Sequence, residues 1–360
     1  MSISTATAII DLKALKHNFS AIQKKAPGSK ILAVLKANAY GHGLERVAKA
    51  LPQADAFGVA RIDEALALRA GGVVKPIVLL EGFFNSDDLD ILAVNNIQTV
   101  IHNREQLEAI CNLKLARPVK TWLKIDTGMH RLGIAPEEFK EFYQRLKQSD
   151  NVQQGIVLMS HLGCADERAN PATPKQLSLF GRIISDIECE ASVANSAGIC
   201  AWPESHYQWV RPGLLMYGVS PMSETDQEYV PKIKPVMTLQ SSVIAVRKLT
   251  AGEPVGYGGA WVSPKDTHIG VVAVGYGDGY PRHAQNGTPV LINGKRYPLA
   301  GRVSMDMITV DLGDDAKVSV GDTATLWGQS LPVEEIASWS TTIPYELLCN
   351  ITRRVQITLA

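Results

Sequence analysis

Lys36 directly follows the apolar run Ile31-Leu32-Ala33-Val34-Leu35 and opens the octapeptide K-A-N-A-Y-G-H-G. The run is short and β-rich at its ends, so it reads as a buried strand with the lysine at its C-terminal end. An amine placed there can simply snorkel its ammonium into water. Alternatively, desolvation lowers its pKa and the free amine forms a Schiff base with a carbonyl cofactor. Asn38, Tyr40 and His42 add polar groups to the same loop, while Gly41 and Gly43 let its backbone turn tightly. These neighbours favour the second chemistry.

The elements that would position this lysine follow from the pattern around it. Leu12, Leu15, Phe19 and Ile22 recur at helical spacing after Asp11, a candidate N-cap. From Lys30 onward, short apolar runs alternate with longer amphipathic ones, the pattern of βα units and a parallel sheet. Eight candidate strands can be counted, at 31–35, 56–60, 77–80, 99–101, 119–125, 156–160, 191–194 and 213–216. Eight units fit a closed TIM-type (β/α)8 barrel better than an open doubly wound sheet. Lys36, Lys124, His161, Asn195 and Ser196 all fall at or just past a strand's C-terminal end, where barrel active sites are built. A Rossmann-like sheet would instead want a glycine-rich phosphate loop, which K-A-N-A-Y-G-H-G does not match.

Prolines and charges cluster over 220–235, which places a domain boundary there: a barrel over 1–232 and a second domain over 233–360. The runs 236–246, 255–262, 269–274, 289–292, 303–312 and 323–326 predict a mostly antiparallel β-domain. Asn293-Gly294 is a two-residue hairpin signal, and Tyr345-Glu-Leu-Leu opens a short helix.

Composition narrows the function class. Thirty-six basic residues against thirty-six acidic ones leave no net field to recruit nucleic acid or an anionic membrane. The five cysteines are scattered with no C-x-x-C pair, so they read as buried thiols in a reducing compartment rather than ligands of a metal. No apolar stretch near the N-terminus is long enough for a signal-peptide core, and none elsewhere would span a bilayer. A cytoplasmic location is expected.

The octapeptide resembles the cofactor-lysine motif of alanine racemases, pyridoxal phosphate (PLP) enzymes built from a (β/α)8 barrel and a C-terminal β-domain. The likeness runs on through K-I-D-T-G-M-H-R-L-G from Lys124, V-R-P-G from Val210 and V-G-Y-G-G from Val255. It continues through G-Y-G-D-G-Y-P from Gly275 and G-R-V-S-M-D from Gly301, and so covers essentially the whole chain.

The resemblance implies that Lys36 holds PLP as an aldimine, with Tyr40, Asn195, Ser196, Gly213, Leu214 and Tyr345 around the cofactor and its phosphate. It puts Arg211 against the pyridine nitrogen. A guanidinium donates but does not yield its proton, so the ring stays a weak electron sink. Racemisation must remove the α-proton from one face and return one to the other, which calls for a second acid/base. Tyr257 resembles that group, and its flanking glycines permit close approach to a ligand. His161 resembles the histidine that serves the tyrosine, either accepting its proton or stabilising its phenolate. Arg131, Met305 and Asp306 match substrate-side positions, Tyr276 and Tyr345 the residues that narrow the access corridor. Lys124 takes the position that is carbamylated in many relatives and orients the arginine. Two chains pack head to tail in the family, so a homodimer with shared sites is expected, acting on alanine to supply D-alanine for peptidoglycan. The competing readings are a broader racemase for serine, lysine or arginine, a PLP decarboxylase, and a non-catalytic PLP carrier. A decarboxylase would not need Tyr257, and a carrier is typically a barrel without the β-domain.

Overall fold

The computed structural model describes residues 5–314 and 317–360. The chain divides into two compact units: one holds Lys16–Met216 and Ser220–Ile233, the other the residues up to Leu15, Tyr217–Val219 and Lys234–Ala360.

In the first unit eight parallel strands close into a barrel: Lys30–Val34, Ala56–Val59, Ile77–Leu79, Ile97–Ile101, Thr121–Lys124, Val157–Met159, Ala191–Ser192 and Trp209–Val210. Pairing of Lys30 with Trp209 and of Ile31 with Val210 shuts the ring. Buried side chains from seven of these strands, including Leu32, Val78, Trp122 and Trp209, pack into one cluster. The barrel is therefore filled, and chemistry is confined to the ends of its strands. The Trp122 and Trp209 rings meet edge to face at 5.4 Å.

Seven of the expected strands are present with shifted ends, and the eighth is not where the sequence put it. Trp209–Val210 closes the ring, and 213–216 falls within a 3-10 turn, Leu214–Tyr217. The ladder ends at Pro212, whose carbonyl accepts from the Val34 amide at 3.0 Å. The apolar residues after Gly213 are buried in a turn, and apolarity alone does not separate a buried turn from a strand.

The second unit is built on the long strand Met237–Leu249, which pairs antiparallel with Thr267–Val272, Thr323–Trp327 and Thr7–Ile10. The hairpin Pro289–Ile292/Lys295–Pro298 turns through Asn293 and Gly294 at φ 50° and 78°, as its sequence predicts. The first residues correct the expected boundary at 1–232. Thr7–Ile10 also pairs in parallel with Gln356–Leu359, so the start of the chain belongs to the second unit. No local signal announces this, because both partners lie more than two hundred residues away. Residues 1–4 and 315–316 of the two expected domains, including the M-S-I-S read for a signal core, lie outside the described residues.

Two further runs differ from expectation. The run 255–262 is two short strands, Pro254–Val255 and Trp261–Val262, around a 3-10 turn, Tyr257–Gly259. In 303–312 only Ile308–Gly313 is strand, and the preceding residues form a loop.

Candidate active site

Past Val34 the chain does not turn on its glycines alone. Ala37, Asn38, Ala39 and Tyr40 have φ of 53°, 54°, 54° and 53°, one turn of left-handed helix made without glycine. Such a turn costs about 1–2 kcal/mol per residue, so it persists only where its surroundings hold it. The Ala39 amide donates to Leu35 O at 2.7 Å and the Gly41 amide to Ala37 O at 3.1 Å. Asn38 Oδ1 accepts from the Leu44 amide at 2.9 Å, and Glu64 Oε1 from the Ala37 amide at 2.7 Å. His42 Nδ1 lies 2.8 Å from Tyr40 O and 3.1 Å from Ala39 O. Full burial pushes His42 down to about 4, only partly offset by those carbonyls, so its ring is neutral with the hydrogen on Nδ1. Lys36, half-buried, starts this braced turn.

Across the same barrel end, Ser196 begins the helix Ser196–Ala201. Its Oγ accepts from the amides of Gly213 at 2.9 Å and Leu215 at 3.3 Å. A methyl group on Gly213 would stand 2.5 Å from the Tyr40 hydroxyl, so a side chain here would push that hydroxyl from its place. Asn195 caps the helix through Oδ1, accepting from the Gly198 amide at 2.9 Å, and donates from Nδ2 to Leu162 O. These two bonds fix the start of the helix that Ser196 begins.

Arg211 follows the last barrel strand and is buried. Its Nη1 donates to Ser192 Oγ at 2.7 Å, and its Nη2 to Ser160 O at 2.8 Å and Val193 O at 3.2 Å. Nη2 also lies 3.2 Å from Nδ1 of His161. Burial draws the guanidinium down to about 10, which leaves it charged at neutral pH. His161 is held well below the usual imidazole range by burial first, then by Arg211, Lys124, Arg131 and Lys36. Lys124, the last residue of its strand, is buried and brought down to about 8 by burial and the same cations, with Glu81 opposing. Arg131 is exposed on a loop that Asp126 ties down by accepting from the amides of Gly128, Met129 and His130.

The second unit brings the remaining residues together in a different way. Tyr257, 69% exposed, lines a hollow of about 550 Å³ with Arg302, Ser304, Met305 and Asp306. Gly256, Gly258 and Gly259 all have positive φ, which projects the phenol from a tight turn. The turn Tyr276–Asp278 bonds to the Met305 loop through Tyr276 N to Ser304 O and Gly277 N to Met305 O, at 3.1 and 2.9 Å. Asp306 accepts from Arg354 Nη2 at 2.7 Å. Tyr345 lies at the start of the helix Pro344–Cys349, partly exposed.

Sequence reasoning passed over Glu64, Ser192, Arg302 and Arg354. Only Glu64 had a local signal: it stands three residues after Arg61 at a helix start, as a capping glutamate does.

The family models for the N-terminal and C-terminal domains of alanine racemase match residues 10–221 and 236–359. The chain belongs to the alanine racemase family. Over 355 residues it is 58% identical to the alanine racemase of Vibrio vulnificus (strain CMCP6), covering 99% of each chain. The biosynthetic alanine racemase of Pseudomonas aeruginosa superposes with a TM-score of 0.95 at 41% identity, over 99% of this chain and 100% of that one. A Bartonella henselae alanine racemase, solved with covalently bound pyridoxal phosphate, superposes at 0.90 with 31% identity, over 99% and 100%. Among the described residues no helix is long and apolar enough to cross a membrane.

Proposed function

We propose that this chain interconverts L- and D-alanine with pyridoxal phosphate held on Lys36, working as a homodimer. Ser196 carries the reading. Its Oγ accepts from two amides, which fills both lone pairs, so its hydrogen is directed to a third atom. Beside it a side chain on Gly213 would displace the Tyr40 hydroxyl. A hydroxyl polarised by two amides, with its own hydrogen left to donate, suits an anionic oxygen cluster such as a phosphate. Tyr40, Ser196, Gly213 and Leu214 would hold that phosphate, with Tyr345 as a further hydroxyl, and Arg211 would donate to the pyridine nitrogen without protonating it. Bound there, PLP supplies an electron sink that acidifies the substrate's α-carbon.

The chain's own residues then move one proton. Lys36 Nζ serves one face of the α-carbon and Tyr257 Oη the other, because a base fixed on one side cannot exchange both. A phenol is a weak acid, so its anion must be stabilised for it to serve as a base near neutrality. His161 is neutral with its hydrogen on Nε2, since Arg211 donates to Nδ1, so it serves the phenolate as a donor rather than as a proton acceptor. Arg131 would bind the substrate carboxylate, with a carbamate on Lys124 pairing to it. Met305, Asp306, Tyr276 and Tyr345 would narrow access to a small substrate. In the dimer, Tyr257 and Met305 of one chain would complete the barrel site of the second and exclude water. D-alanine so made would supply peptidoglycan.

The test is a racemisation assay on alanine, serine, lysine and arginine with the PLP-loaded protein. Turnover of alanine well above the others supports the reading; equal turnover of lysine or arginine identifies a broad racemase, and no turnover of any rejects the function.

A further inference from the structure

Glu64 sits in the first turn of the helix Ile62–Ala70, and its two carboxylate oxygens do different things. Oε2 accepts from the amides of Ala60 at 2.9 Å and Arg61 at 3.2 Å, an ordinary cap of its own helix. Oε1 reaches to a different βα unit and accepts from the amide of Ala37 at 2.7 Å. That amide belongs to the residue bonded directly to Lys36.

The backbone ladder shows why a side chain is needed there. The strands Lys30–Val34 and Ala56–Val59 pair in parallel, Leu32 with Ala56 through Val34 with Gly58. One more ladder bond follows, from the Leu35 amide to Gly58 O at 2.7 Å. In a parallel ladder the next donor on this strand is the amide two residues on, at Ala37, and its acceptor would be Ala60 O. Ala37 instead enters the left-handed region at φ 53° and leaves the ladder. The Glu64 carboxylate takes over there, with Ala37 N on one oxygen and Ala60 N on the other. It thus joins the two chains where both depart from the sheet. A capping role alone uses one oxygen; the second is spent on the turn that begins at Lys36.

We propose that Glu64 is a positioning residue for Lys36: its carboxylate anchors the first amide of the left-handed turn and thereby fixes where the lysine amine stands. The proposal rests on the reading of Lys36 as the cofactor lysine. Glu64→Gln keeps the size of the side chain but has one acceptor oxygen, so whichever way the amide lies, an NH2 faces a backbone N–H. Loss of one charge-assisted hydrogen bond that acts on the amine should slow attachment roughly tenfold to hundredfold.

The measurement is the rate at which apoprotein regains the absorption band of lysine-bound cofactor after PLP is added, read with kcat and KM for alanine and with the melting temperature. The expected result for Glu64→Gln is slow attachment and reduced kcat, KM changing less, in a protein that melts cooperatively. Wild-type attachment and kcat with only a lowered melting temperature would make Glu64 a helix cap and overturn the proposal. Should the glutamine variant not fold, Glu64→Asp carries the same test, because it keeps the charge and the local cap but is one methylene too short to serve both amides. Lys36→Ala separates the two readings: if it still acquires the band, the assignment of Lys36 is what fails, whereas a bandless Lys36→Ala beside an unimpaired Glu64→Gln sinks the Glu64 proposal alone.

Discussion

Nη2 of Arg211 lies 3.2 Å from Nδ1 of His161. A guanidinium has no acceptor, so Nδ1 must accept and the imidazole hydrogen must sit on Nε2. Burial and four neighbouring cations oppose protonation of that ring. Ring nitrogen chemical shifts of His161 should therefore report a single neutral tautomer near neutral pH, with any titration displaced below the ordinary imidazole range. Titration with a midpoint near the ordinary value would show that the contact does not hold the ring neutral.

His42 should make the fold sensitive to acid. Its pKa falls from 6.5 unfolded to about 4 folded, so the unfolded chain binds the extra proton between those values. Stability is then full above the unfolded value and is lost as pH falls toward 4, by about 3 kcal/mol for this group. His102 and His206, also lowered by burial, act in the same direction. Denaturant unfolding of wild type and His42→Asn across this window should give a flatter pH dependence for the variant. Parallel curves would contradict the buried neutral ring.

Lys124, at about 8, has roughly a tenth of its amine neutral at pH 7. Its Nζ can add to the carbon of carbon dioxide with release of a proton, which turns a cation into an anion beside Arg131. Protein stripped of carbon dioxide should lose activity roughly tenfold, the weight of one charge-assisted hydrogen bond, and regain it with bicarbonate. Lys124→Ala should be low and indifferent to bicarbonate; an equally active variant would make this lysine structural.

The shared-site reading predicts complementation. Lys36→Ala and Tyr257→Phe chains, each inactive alone, should recover about a quarter of all sites when mixed, since half the dimers are hybrids and each hybrid has one intact site. Mixtures as inactive as the separate variants would place both bases on one chain.

Much of this was legible because barrel chemistry sits where strands end. Lys36, Lys124, His161, Asn195 and Ser196 could each be placed from the apolar run before them, whereas Arg211 came only from the family resemblance, because the strand that precedes it was expected at 213–216. The left-handed turn after Lys36 was not legible, because A-N-A-Y contains no glycine and its conformation is held by Asn38 within the run together with Glu64 and His42 from outside it. The strand Thr7–Ile10 was missed for a related reason: its partners are remote, and a short apolar stretch carries no record of them. The eighth barrel strand was misplaced because Leu214, Leu215 and Met216 are as buried as strand residues while coiled in a turn.

Opposed bases are tested most directly by solvent exchange in Tyr257→Phe. The variant should keep PLP and lose racemisation by roughly two to four orders of magnitude, the usual weight of a general base. The family resemblance implies that Lys36 serves the α-proton of D-alanine and Tyr257 that of L-alanine, so in deuterium oxide the variant should still exchange D-alanine more readily than L-alanine. Racemisation at the wild-type rate, or faster exchange of L-alanine, would contradict the assignment of Lys36 and Tyr257 to opposite faces.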